Sequence, residues 1–200
     1  MFFERLVVLA TLALIATAIP FNDFVSRSAP QASCSSTKLV DSSVITVGGN
    51  SVVLSTLACD SSTRVVEAAA QDTNTTDPVD VCGLICNTFC GSLGDLPPTT
   101  EDCQTIKDAI QIFAGNAAPT FVVQPSHIQQ LTFGTCRFFF ENLGSEPEEY
   151  CWQDLANTGS AAAAACFPPT DPVNSLASCK APDGTWELGV SHSNTTDTSS

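Results

Sequence analysis

Positive charge is scarce in this chain of 200 residues: seven Lys and Arg stand against 21 Asp and Glu, a formal net charge of −14. A surface of that sign repels phosphate backbones and anionic lipid headgroups alike, which argues against nucleic acid and against a membrane surface as partners. Histidine is nearly absent. His127 and His192 are the only two, so a histidine-built metal centre lacks ligands, and neither a metal nor a cofactor is expected. No G-x-S-x-G elbow and no H-E-x-x-H motif occurs, which removes the sequence signs of a serine hydrolase and of a zinc protease. Adjacent cysteine pairs are missing too. Together with the acidity, that excludes a surface-active coat protein built on Cys-Cys doublets. Long apolar runs are confined to the N-terminus, where Leu6 to Ile15 is shorter than the roughly 20 residues a membrane span requires.

What the chain does contain is ten cysteines behind an export signal. Residues 1–18 have a short charged start (Glu4, Arg5), the apolar run Leu6 to Ile15 and the small-x-small triplet Ala16, Thr17, Ala18, the anatomy of a secretory signal peptide. Cleavage is expected near Ile19, which makes the protein secreted and extracellular. In an oxidising compartment Cys34, Cys59, Cys82, Cys86, Cys90, Cys103, Cys136, Cys151, Cys166 and Cys179 form an even set, so five disulfides are expected in preference to a zinc site. Each bridge stabilises by roughly 2–4 kcal/mol through its restriction of the unfolded chain.

Residues 19–43 are rich in Ser, Ala, Pro and Gln with little periodicity, which predicts a flexible leader. The stretch VITVGGNSVVLSTLAC (44–59) has two β-branched runs around Gly48, Gly49 and Asn50, a hairpin signal. Polar residues 60–78 read as a linker. Asn74 in that linker and Asn194 in the Ser/Thr-rich tail 192–200 each head an N-x-Thr acceptor for N-glycosylation. The compact domain is then 79–191. Within it, CGLICNTFC places Cys82, Cys86 and Cys90 four apart, on one helical face or in a looped knot. Thr99 or Thr100 caps a helix with Glu101 and Asp102 in its first turn, an apolar stripe at Cys103, Ile106, Ile110 and Phe113, and a stop at Gly115. TFVVQ (120–124) and QLTFGTCRFFFEN (130–142) have strand composition and are expected to pair across the loop of Pro125 and His127. YCWQDLANTGSAAAAAC predicts a second helix, broken or kinked near Gly159, and KAPDGTWELGV a Pro-Asp-Gly turn feeding a strand. The sum is an α+β fold, a small antiparallel sheet packed with one or two helices and stapled by disulfides.

The order VCGLICNTFC, EDCQTIKDAI, FVVQPSHIQQLTFGTCRFFFEN, YCWQDLA and a closing Cys before DGTWELGV resembles the Y3-like glycan-binding domains of small secreted proteins from mushroom-forming fungi. The resemblance covers residues 79–191. It implies a helix packed on an antiparallel sheet, several disulfides, and carbohydrate recognition without catalysis. Cys34 and Cys59 lie outside it and are free to bridge one another.

A sugar site needs an aromatic face for the apolar side of a pyranose and fixed polar groups for its hydroxyls. Trp152, beside Gln153 and Asp154, Trp186, between Thr185 and Glu187, and Tyr150 are the aromatic candidates; Asn142 is a polar one. Against them stands the fact that large aromatics in small domains more often serve the core. The run Phe138, Phe139, Phe140 puts rings on both faces of a strand, which calls for burial on both sides or for a homodimer interface. Catalytic readings are weaker. A ribonuclease would use His127 and His192 as acid and base, but the net charge opposes RNA. A glycosidase needs two opposed carboxylates, and Glu146, Glu148 and Glu149 read more simply as a solvated turn. The rival from another class is an effector that binds a host or cell-wall protein.

Overall fold

The computed structural model describes residues 34, 36–59, 77–92, 96–116, 118–169 and 173–193. The export signal, both N-glycosylation acceptors and most of the leader and linker lie outside the described residues. Those described form an α+β fold of ten strands and two helices. In chain order these are β1 (Thr37–Val47), β2 (Asn50–Cys59), β3 (Val79–Asp80), β4 (Asn87–Gly91), α1 (Thr100–Asn116), β5 (Thr120–Val123), β6 (His127–Phe133), β7 (Cys136–Asn142), β8 (Glu148–Cys151), α2 (Trp152–Cys166), β9 (Leu176–Lys180) and β10 (Trp186–His192). Seven strands make one antiparallel sheet in the order β1-β2-β6-β7-β10-β9-β4, and β3-β8-β5 form a smaller one.

Side-chain alternation along β7 defines the two faces of the main sheet. On the inner face Leu131, Phe138, Val190 and Ala177 lie in one cross-strand row, and Gln129, Phe140, Leu188 and Cys179 in the next. Helices α1 and α2 cover this face, and its apolar residues are buried to 5% exposure or less. Burying a side chain of this size contributes roughly 1.5–3 kcal/mol, so these rows are the main source of cohesion. On the outer face Phe139 is 3% exposed and clusters with Ile128, Leu176, Leu57 and the Cys34–Cys59 bridge, while the Arg137 guanidinium lies 4.7 Å from its ring centre. All three phenylalanines of the 138–140 run are therefore buried, on opposite sides of the sheet.

Each cysteine is paired: Cys34–Cys59, Cys82–Cys151, Cys86–Cys179, Cys90–Cys166 and Cys103–Cys136, with Cα separations of 5.2–5.3 Å. The CGLICNTFC segment is a loop followed by β4, not a helix; its three cysteines are tied to the start of α2, to β9 and to the end of α2.

The structure corrects the sequence reading at several points. Strand β1 starts at Thr37, inside the segment expected to be leader, and the hairpin is no appendage, because β2 pairs with β6 over six residues. Strand β5 does not pair across the Pro125 loop; it joins β8 in the small sheet. The stretch 130–142 is not one strand but the hairpin of β6 and β7. Its turn is set by Gly134, at φ +53°, and by Asp102 of α1, whose carboxylate accepts the Thr135 N–H and hydroxyl at 2.7 Å each. A Cβ at position 134 would overlap that carboxylate, so glycine is required there twice over. Helix α2 runs unbroken through Gly159, whose missing side chain lets the helix close on Phe138 and Val190.

Candidate functional site

Polar side chains at inner-face positions mark the place where the core opens. Asp41 of β1 lies opposite Thr56 of β2, which lies opposite Gln129 of β6, so alternation turns all three to the side that elsewhere holds Leu131 and Phe138. They line a cavity of about 210 Å³. Its apolar wall comes from three other elements: Phe113 in the last turn of α1, Phe121 of β5 and Trp152 at the first position of α2. Trp152 meets Phe121 at 4.1 Å between ring centres and Phe113 edge-on at 5.0 Å. The Thr56 hydroxyl donates to Gln129 Oε1 at 2.8 Å, and Thr120, another lining residue, donates its hydroxyl to the Glu149 carboxylate.

Trp152 is 2% exposed, and its indole N–H has no hydrogen-bond partner among the described residues. A buried donor left unmade costs about 1–3 kcal/mol. The indole nitrogen is itself closed off from solvent, so Trp152 serves the cavity through its ring, as part of the aromatic wall. The half-buried Phe113 and Phe121 offer apolar surface, and Asp41, Thr56 and Gln129 offer acceptors and donors within the same space.

Of the four residues singled out from the sequence, only Trp152 reaches this cavity. Trp186 and Tyr150 are each 1% exposed and use their ring faces on Phe140, stacked at 5.9 and 4.7 Å. Burial pushes the Tyr150 hydroxyl up to about 12, against a lowering hydrogen bond with Thr158. Asn142 is fully buried; its amide donates to the Val123 and Glu146 carbonyls and accepts the Gly144 N–H, all at 2.8 Å. It shapes the β7–β8 connection and presents nothing outward. Asp41, Thr56, Gln129, Phe113 and Phe121 were not picked out from the sequence. The available signal was polarity at positions where the alternation of β2 and β6 calls for apolar residues.

The catalytic alternatives lose their geometry. His127 and His192 sit at opposite ends of β7, roughly 20 Å apart at about 3.4 Å per residue, too far to share a proton-transfer site. The acidic stretch is not a solvated turn throughout: Glu148 of β8 is 4% exposed. Burial raises its pKa to about 7 against a hydrogen bond from Thr185, with Asp183 adding to the rise. Glu141 and Glu187 do face each other across β7 and β10, but at 1% and 2% exposure they are sealed in the outer face, the first beneath Cys34 Sγ at 3.2 Å. Burial raises the Glu187 pKa, with Ser178 and Lys180 opposing. Cys34 and Cys59 lie near Glu141, and Cys82 and Cys151 near Asp154, in groupings that could hold a metal, but their sulfurs are joined in disulfides and offer no thiolate. Among the described residues no helix is long and apolar enough to cross a membrane.

No protein-family model, no curated protein and no solved structure matches this chain.

Proposed function

We propose that this chain is a secreted glycan-binding protein without catalytic activity, and that the cavity beside Trp152 is its sugar site. The observation that carries the reading is a cavity walled by Phe113, Phe121 and Trp152 and rimmed by Asp41, Thr56 and Gln129. A pyranose matches that surface: its C–H face packs on aromatic rings, and its hydroxyls both donate and accept. At about 210 Å³ the cavity falls below the ~300–1,000 Å³ of drug-sized sites and suits one ring with the rest of a glycan outside. The export-signal pattern, the five disulfides and the resemblance of residues 79–191 to Y3-like domains support the same reading.

The test is a broad glycan array with the full secreted chain and its Gln129→Leu variant. Expected are saturable binding, competed by free sugar at micromolar to millimolar concentration, and its loss in the variant with an unchanged circular dichroism spectrum. A blank array with well-folded protein overturns the reading.

One observation favours a protein-binding effector as the second reading. Leu84 and Ile85 are 53% and 85% exposed on the loop between Cys82 and Cys86, so disulfides hold an apolar knuckle rigidly in solvent, as a protein contact wants. Retention of a host protein that Ile85→Asp releases, together with a blank array, would establish it.

A further inference from the structure

We propose that the ring held in this cavity carries a protonated amine, so that the preferred ligand is an unacetylated amino sugar; the inference rests on the glycan-binding reading. Among the described residues, Asp41 is the one charged side chain lining the cavity, and no Lys or Arg joins it. It stands exposed on β1, at the rim and not in the floor. The next acidic group is Glu149, bonded through Thr120, which itself lines the cavity. Phe113, Phe121 and Trp152 line the same cavity. A carboxylate and aromatic rings lining one cavity attract an ammonium group there, by Coulomb attraction and by the ring quadrupole together.

The same charges act against other classes of sugar. A uronic or sialic acid would bring its carboxylate up to Asp41 on a chain already at −14, with no cation in the lining to receive it. An N-acetyl group removes the positive charge and adds bulk, in a space of about 210 Å³. A neutral hexose keeps the hydrogen bonds and the ring contact but gains nothing from Asp41 as a charge. Asp41 is thus the specificity-determining residue, while the aromatic wall and Gln129 serve any pyranose.

The test compares two disaccharides that differ only in acetylation: β-1,4-linked glucosamine and its di-N-acetyl counterpart. Both are titrated calorimetrically into the full secreted chain and into its Asp41→Asn variant at about pH 5.5, below the ordinary range of an amine. The expected result is a preference for the diamine of about threefold to fivefold, the scale of an exposed ion pair, with the ratio of the two affinities falling to near one in the variant. A preference that survives Asp41→Asn would assign it to bulk charge and overturn the inference, as would equal or tighter binding of the acetylated sugar. If neither disaccharide nor any array glycan binds the unaltered chain, the glycan-binding reading itself fails and takes the inference with it.

Discussion

Gly159 of α2 sits so close to Phe138 of β7 that a Cβ at this position would lie 3.0 Å from the ring. Phe138 is 1% exposed and held between Leu131 and Val190, so the ring has no room to yield. Gly159→Ala is therefore expected to destabilise the fold by up to about 2 kcal/mol: overpacking of about 1–3 kcal/mol outweighs the roughly 1 kcal/mol that alanine gains in helix propensity. Gly115 of α1 has nothing within 4 Å of its virtual Cβ, and Gly115→Ala should instead stabilise by up to about 1 kcal/mol. Denaturant titrations of both variants check the opposite signs.

Asp102 joins the first turn of α1 to the β6–β7 hairpin, a contact with a definite pH signature. Burial works against its charge, but hydrogen bonds from the Thr135 N–H, the Thr135 hydroxyl and Thr99 prevail and hold its pKa below the usual carboxylate range. A depressed folded pKa contributes stability that is present above the unfolded value near 3.9 and is lost as pH falls through the folded one. Asp102→Ala should cost about 1–3 kcal/mol at neutral pH, through the two lost bonds and the unpartnered Thr135 amide. Thermal melts should show the gap between variant and unaltered protein narrowing below about pH 3.

The start and the buried face of α1 were legible because their signals are local: the Thr99 hydroxyl accepts the Asp102 N–H at 3.4 Å, and Ile106, Ile110 and Phe113 recur at helical spacing, while the helix runs through the expected stop at Gly115 to Asn116. The β6–β7 hairpin was not legible, because Gly134-Thr135 is a weak turn pair by itself and its stabilising carboxylate comes from position 102. The partner of β5 could not be read either, since β8 lies on the far side of a complete hairpin. The candidate site divides in the same way. Trp152 and Trp186 carry the same signature in sequence, an indole beside polar neighbours, and only tertiary packing separates the one that lines a cavity from the one that stacks on Phe140. Asp41, Thr56 and Gln129 converge only because β1, β2 and β6 are adjacent, an order that no periodicity encodes.

Glu148 has the reverse linkage to Asp102. Its pKa is raised to about 7, chiefly by burial, so the neutral acid is the form the fold accommodates. A folded pKa above the unfolded value near 4.3 means that stability is fully present below about pH 4 and declines as pH rises towards 7. Glu148→Gln keeps the shape and removes the charge. It should therefore be more stable than the unaltered protein above pH 7, by on the order of 2 kcal/mol, and nearly equal to it at about pH 4. Melting temperatures across that range decide the matter: a variant less stable at every pH would show that the carboxylate is needed in its charged form.

Trp152 offers the most direct separation of packing from binding. An alanine there would remove a side chain that is 2% exposed in the main core, at a cost of about 3–5 kcal/mol, and loss of binding would then say nothing about the site. Trp152→Phe keeps an aromatic ring against Phe113 and Phe121 while deleting the unpartnered N–H. Because that donor has no partner to lose among the described residues, the stability cost should be limited to the reduced ring volume, about 1–2 kcal/mol. The indole nitrogen is closed off from solvent, so a sugar that packs on the ring wall should keep its affinity in the folded variant. A folded Trp152→Phe protein that has lost sugar binding would overturn this and bring the indole N–H into the recognition of the ligand.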